Sequence, residues 1–165
     1  YKGKINFFLE DCLIGKCKFN SNWIMKTYGQ SKLEKISNKT ILCSGTVIGQ
    51  YEKIFEYLIL IKKYINKYKY KKKLKYLLTF RPDPEGRGCD QAHANYIVHN
   101  QIIKDVNFHS NGKGPFATVF YLNKIKFDNE SRLINELGKP YILVHQYDKR
   151  WDEFSKHVTF IKKKL

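Results

Sequence analysis

From Gln50 onward the apolar residues fall at helical steps. Ile54, Tyr57, Leu58, Ile61 and Ile65 recur every three or four positions as one stripe, with lysine on the opposite face. On either side of this segment the apolar residues come instead in short β-prone runs: INFFL at 5–9, TILC at 40–43, Ile102 to Val106, FATVFYL at 116–122 and YILV at 141–144. Shorter helices are expected from Asn20 to Tyr28, from Cys89 to His99 and from Trp151 to His157. Asn20 or Asn22 is the expected cap of the first and Gly29 its end, while Ala92, Tyr96 and Ile97 turn inward in the second. The stripe helix is expected to fade within KYKYKKKLKY, and RPDPEGRG reads as a loop. Strands separated by helices specify an α/β layered fold, and with neither an internal repeat nor a composition break, residues 1–165 form one domain.

The chain has 165 residues, 42% of them apolar, which is enough for a real core and excludes disorder. No apolar run is long enough to span a bilayer. Tyr1 opens the chain with no initiator Met and no apolar leader behind it, so the expectation is a fragment or processed chain that is cytoplasmic or membrane-associated. The net charge of +16 is carried almost wholly by lysine, with arginine only at 81, 87, 132 and 150. Such a surface suits an anionic partner: nucleic acid, a phosphorylated substrate or an acidic membrane face. A/T-rich codon usage gives the same composition, because Lys, Asn, Ile, Tyr and Phe are all abundant. Tyrosines alternate with lysines from Lys62 to Lys75, a pattern for weak, non-specific nucleic-acid binding or peripheral membrane contact, although a solvated helix end is the plainer reading. Cys12, Cys17, Cys43 and Cys89 lack zinc-knuckle spacing and read as reduced, mostly buried thiols.

Three polar clusters interrupt the apolar pattern. CSGT follows TIL, HQYDK follows YILV, and GCDQ opens a helix. Ligands of open α/β sheets bind where strand ends converge, and a helix N-terminus offers free N–H groups to phosphate or hydroxyl. Ser44, Gly45 and Thr46 are small enough to let a ligand approach the main chain, or they make a simple turn. Asp90 reads as a helix cap, which leaves Gln91 and Asn95, one turn apart, unexplained; together the three suit the reading of sugar hydroxyls. His93 and His99 read as structural. His145, just past a strand, is a candidate ligand for Mn²⁺ or Zn²⁺, with Asp148 the nearest carboxylate in sequence.

In this order, FFLEDCLIGKCKFNSNWIMKTYG, CSGTVIG, GCDQAHANYIVHN and VHQYDKRWDEF resemble the second half of a nucleotide-diphospho-sugar glycosyltransferase with the GT-A fold. The resemblance implies an α/β fold, a mixed sheet flanked by helices, with this chain as the C-terminal part of the catalytic domain. It implies metal-assisted transfer of a sugar from a nucleotide-diphosphate donor to a hydroxyl of a glycan, protein or lipid. By the same resemblance Ser44, Gly45 and Thr46 line the cleft, Asp90 and Gln91 contact the transferred sugar with Asn95 behind them, and His145 holds Mn²⁺ or Mg²⁺. Asp90 then orients a hydroxyl or acts as base; retention and inversion both stay open. The family's Asp-x-Asp has no match here, since Asp83-Pro84-Glu85 lies in the wrong part of the chain within a Pro-rich turn. The simplest expectation is that the nucleotide-binding half lies outside this sequence, leaving the chain inactive alone; a shorter or degenerate relative is the alternative. The rivals are a basic nucleic-acid- or membrane-binding module without catalysis and a regulatory fragment. The transferase reading requires Asp90, Gln91, Ser44 and His145 to surround one cleft.

Overall fold

A computed structural model describes residues 3–79 and 90–162, with side chains placed for 3–68 and 90–157. The fold is mixed α/β. Strand β1 (Ile5–Leu13) lies between β2 (Thr40–Ile48), which is antiparallel to it, and β3 (Val106–His109), which is parallel. Strands β4 (Phe116–Thr118) and β5 (Leu143–His145) form a second, parallel pair. As a central strand β1 is covered on both faces, hence Phe7, Phe8 and Leu9 in direct succession. On one face Ile5 and Phe7 join a core with Tyr57 and Ile61 of α3 (Tyr51–Thr79) and Ala94, Ile97 and Val98 of α4 (Asp90–His99). Phe7 meets Tyr57 edge-on at 5.2 Å. On the other face Phe8 stacks on Phe116 at 4.5 Å.

Helices α1 (Lys18–Tyr28) and α2 (Gln30–Ile36) connect β1 to β2. The cap of α1 is neither Asn20 nor Asn22. The helix starts earlier, and the Cys17 sulfur accepts the Asn20 N–H at 3.5 Å. Gly29 ends α1 as expected, at φ 92°, and the chain turns directly into α2, for which the apolar spacing gives no separate signal. Leu33 and Ile36 anchor α2 against Ile24 and Ile41.

Other boundaries also differ from the sequence reading. The strand expected at 102–106 begins only at Val106, because Gln101 and Asp105 take left-handed conformations that turn the chain first. The run from Phe116 leaves the sheet after Thr118, and Val119 and Leu122 fold into a third core with Leu133 and Phe154 of α5 (Trp151–Lys162), a helix longer than expected. Helix α3 does not fade within the lysine-rich run but continues to Thr79. Leu58, expected inside, is 54% exposed, because the buried stripe runs through Tyr57 and Ile61. Among the described residues no helix is long and apolar enough to cross a membrane.

Candidate functional site

Strands β1 and β2 pair regularly only in part. Phe7 faces Val47, Leu9 faces Leu42, and Leu13 faces Thr40. Phe8 alone therefore stands opposite Cys43–Thr46, and Ile41 alone opposite Glu10–Cys12. Each strand carries a bulge, one on either side of the Leu9–Leu42 pair, and bulges re-aim side chains out of the ladder. The strand expected to stop at Ser44 thus runs to Ile48, and Ser44, Gly45 and Thr46 lie in its bulge instead of a terminal turn.

The N-terminus of α4 faces these bulges. The Gln91 amide donates to Glu10 Oε1 at 3.2 Å. Glu10 is 2% exposed, and burial pushes its carboxyl up to about 7 against the opposing pull of the Gln91 bond. The exposed Asp90 carboxylate, in the first turn of α4, accepts the Gln91 backbone N–H at 2.8 Å. Burial raises the Tyr57 hydroxyl, and both Asp90 and Cys43 lie near enough to raise it further.

Asn95 turns away from any ligand. It is fully buried; its Oδ1 accepts the Leu42 N–H at 2.9 Å, and its amide donates to the carbonyls of Leu42 at 3.1 Å and Gln91 at 2.8 Å. It satisfies the backbone groups that β2, an edge of the described sheet, would otherwise leave unpaired. The geometry assigns Asn95 to the fold. Asn95→Ala is expected to cost about 3 kcal/mol in denaturant unfolding, since it strips buried main-chain groups of their partners. The histidines of α4 are likewise structural: His93 is buried and bonded to the Tyr28 hydroxyl, and His99 Nε2 donates to the Thr40 carbonyl at 2.9 Å.

The second strand pair closes the other side. His145 ends β5, and its imidazole lies against Gly45 so closely that a Cβ there would stand 2.8 Å from Nε2. Its ring nitrogens have no hydrogen-bond partner among the described residues. Thr46 and Thr118 bring buried hydroxyls that make no ordinary hydrogen bond among the described residues, yet both lie beside the Cys43 thiol and would favour its ionised form. Burial dominates, however, and pushes that thiol up, with Glu10 adding to the effect. Gln91, Glu10, Cys43, Thr46, Thr118, Gly45 and His145 therefore form a chain of neighbours drawn from α4, both bulges and both short strands. Of the residues singled out in the sequence, this brings Gln91, Gly45, Thr46 and His145 into one constellation, with Ser44 in the same bulge and Asp90 beside Gln91.

Glu10 was not singled out by sequence reasoning. Its signal is the acidic pair Glu10-Asp11 closing an apolar strand. Glu10 and Asp11 line a cavity of about 230 Å³ with Ser110 and Asn111. Asp11 also borders a hollow of about 360 Å³, where Lys124, Lys126, Glu136 and Tyr141 meet. Burial raises the Asp11 carboxyl, and the Glu136 charge raises it further against a backbone hydrogen bond from Asn123. Cys12, Cys17 and Cys43 are free thiols; Cys89 and the Asp83-Pro84-Glu85 turn lie outside the described residues. Among the described residues no three His, Cys, Asp or Glu side chains are grouped to hold a metal ion. Comparison of the chain with protein-family models, curated proteins and solved structures finds no match.

Proposed function

We propose that the bulged region of the sheet, with the cavity that Glu10 lines, is a glycosyl-transfer site: a GT-A-like arrangement that moves a sugar from a nucleotide-diphosphate donor to an acceptor hydroxyl of a glycan, protein or lipid. The observation that carries this reading is the row of neighbours that joins the buried Glu10 carboxyl and the Gln91 amide at the start of α4, through Cys43 and Thr46, to Gly45 and His145 across the two bulges. The ordered motifs of the sequence support the same chemistry.

In this reading the acceptor oxygen attacks the anomeric carbon as the bond to the diphosphate breaks. Glu10 Oε takes the acceptor proton, and a base with a pKa of about 7 is well matched to neutral pH. Gln91 holds that carboxylate in position through its amide. Asp90, exposed at the helix start, orients a sugar hydroxyl instead of serving as base. His145 and the small bulge residues set the wall against which the sugar rests. Lys124 and Lys126 line the neighbouring hollow that shares Asp11 with the Glu10 cavity, and they suit the diphosphate, whose charge they offset as it leaves. One direct displacement with one base gives inversion at the anomeric carbon.

The test is release of nucleoside diphosphate from uridine-, guanosine- and adenosine-diphosphate sugars in the presence of simple glycoside acceptors. Release with one donor, dependent on acceptor, is expected. Absence of both binding and release for all three donors would contradict the proposal.

A further inference from the structure

The helix that carries Tyr57 and Ile61 inward presents a second apolar stripe outward. Tyr51, Phe55, Leu58 and Ile59 are 75%, 52%, 54% and 53% exposed. Their i, i+4, i+7, i+8 spacing places them in one line on α3, and Tyr51 and Phe55 stack at 5.8 Å. One turn beyond Leu58 and Ile59 on the same side come Lys62 and Lys63, both exposed, and the sequence continues with Lys67, Lys69, Lys71, Lys72, Lys73 and Lys75. Glu52 and Glu56 flank the apolar end, with Glu56 in an ion pair with Lys53 at 3.7 Å. Isolated exposed apolar residues need no explanation, but a contiguous row on one helix face marks a contact surface.

We infer that the outward face of α3 seats this domain on an anionic lipid surface. The charge decides the occupant: an apolar row running into Lys62 and Lys63, on a chain of net charge +16, complements a layer with anionic headgroups above acyl chains. Helix α3 is about 44 Å long by its rise per residue and is not apolar enough to cross, so it would lie along the interface. Nucleic acid fits less well. It would engage the lysines and leave Leu58 and Ile59, which have no ring to stack on bases, in water. The inference does not depend on the glycosyl-transfer reading, because none of these side chains belongs to the cleft.

The experiment is sedimentation with vesicles of phosphatidylcholine alone or with about one third phosphatidylserine. The protein, Phe55→Ser/Leu58→Ser and Lys62→Glu/Lys63→Glu are compared, with thermal melts to confirm that each is folded. Both pairs of residues are exposed, so the melts are expected to match. The unaltered protein is expected to pellet with the anionic vesicles, with binding at least about tenfold weaker for neutral vesicles and for either variant. Failure to pellet, equal partition onto neutral vesicles, or full binding by the Phe55→Ser/Leu58→Ser variant would overturn the inference. So would single-stranded RNA that displaces the protein from vesicles and binds that variant unchanged, since the face would then be a nucleic-acid surface.

Discussion

Glu10→Gln is expected to abolish base catalysis and, above neutral pH, to stabilise the fold. The two effects have one cause. Burial in the β1 bulge holds the carboxyl at about 7, against an ordinary value of 4.5. An acid whose folded pKa is raised contributes stability that is fully present below the unfolded pKa and is lost as pH rises through the folded one. The loss therefore develops between about pH 4.5 and pH 7. At ~1.4 kcal/mol per unit, keeping Glu10 ionised above that window costs on the order of 3 kcal/mol. Glutamine carries no charge and removes that cost, so denaturant melts at pH 8 are expected to show the variant more stable by up to that amount, and melts at pH 4 to show little difference. Turnover at pH 8 is expected to fall by about 10²–10⁴-fold, the usual contribution of a general base. Unaltered turnover would remove Glu10 from the chemistry. A variant less stable at pH 8 would show that the carboxylate is stabilised by groups outside the described residues.

Gly45→Ala is expected to lower turnover by about 10²-fold through displacement of the His145 ring. A Cβ at position 45 would stand 2.8 Å from His145 Nε2 and 2.9 Å from Cε1, closer than side-chain atoms approach one another, so the imidazole must swing away. Gly45 is exposed and its φ lies outside the left-handed region, so the backbone accepts alanine and the melting temperature should move little. Removing the ring as well tests the route. If Gly45 acts through His145, then Gly45→Ala adds nothing to His145→Ala, whereas independent roles give additive losses. Additivity in that cycle would separate the two residues and weaken the case for a shared wall of the cleft.

Much of the fold was legible because it rests on local chemistry. Gly29 ends a helix because its positive φ suits glycine, and Asp90 falls in the first turn of α4, where a carboxylate offsets the helix dipole. The mixed α/β class follows from short apolar runs set around a helical stripe. What escaped the sequence depends on pairing between distant segments. The bulges arise from the register of β1 on β2, which no single stretch specifies, so Ser44–Thr46 read as a turn and Glu10 passed unremarked. Asn95 lies on the face expected for a sugar-reading group, but that face meets the open edge of β2, so its amide serves the backbone. Leu58 sits at core spacing, yet the buried side of α3 runs through Tyr57 and Ile61 and leaves Leu58 exposed. The Asp-x-Asp partner expected for His145 has no counterpart in the chain, so the imidazole was legible as a candidate and its ligand set was not.

The central claim is that the two bulges, the start of α4 and the end of β5 act together as one sugar-nucleotide cleft. Hydrogen–deuterium exchange tests it most directly, because those segments are separate in sequence and their amides report separately. With a nucleotide-diphospho sugar bound, joint slowing of exchange is expected at 10–12, 43–46, 90–91 and 143–146, with the lysine-rich end of α3 unchanged. Slowing confined to α3, or none at the bulges under saturating ligand, would contradict it.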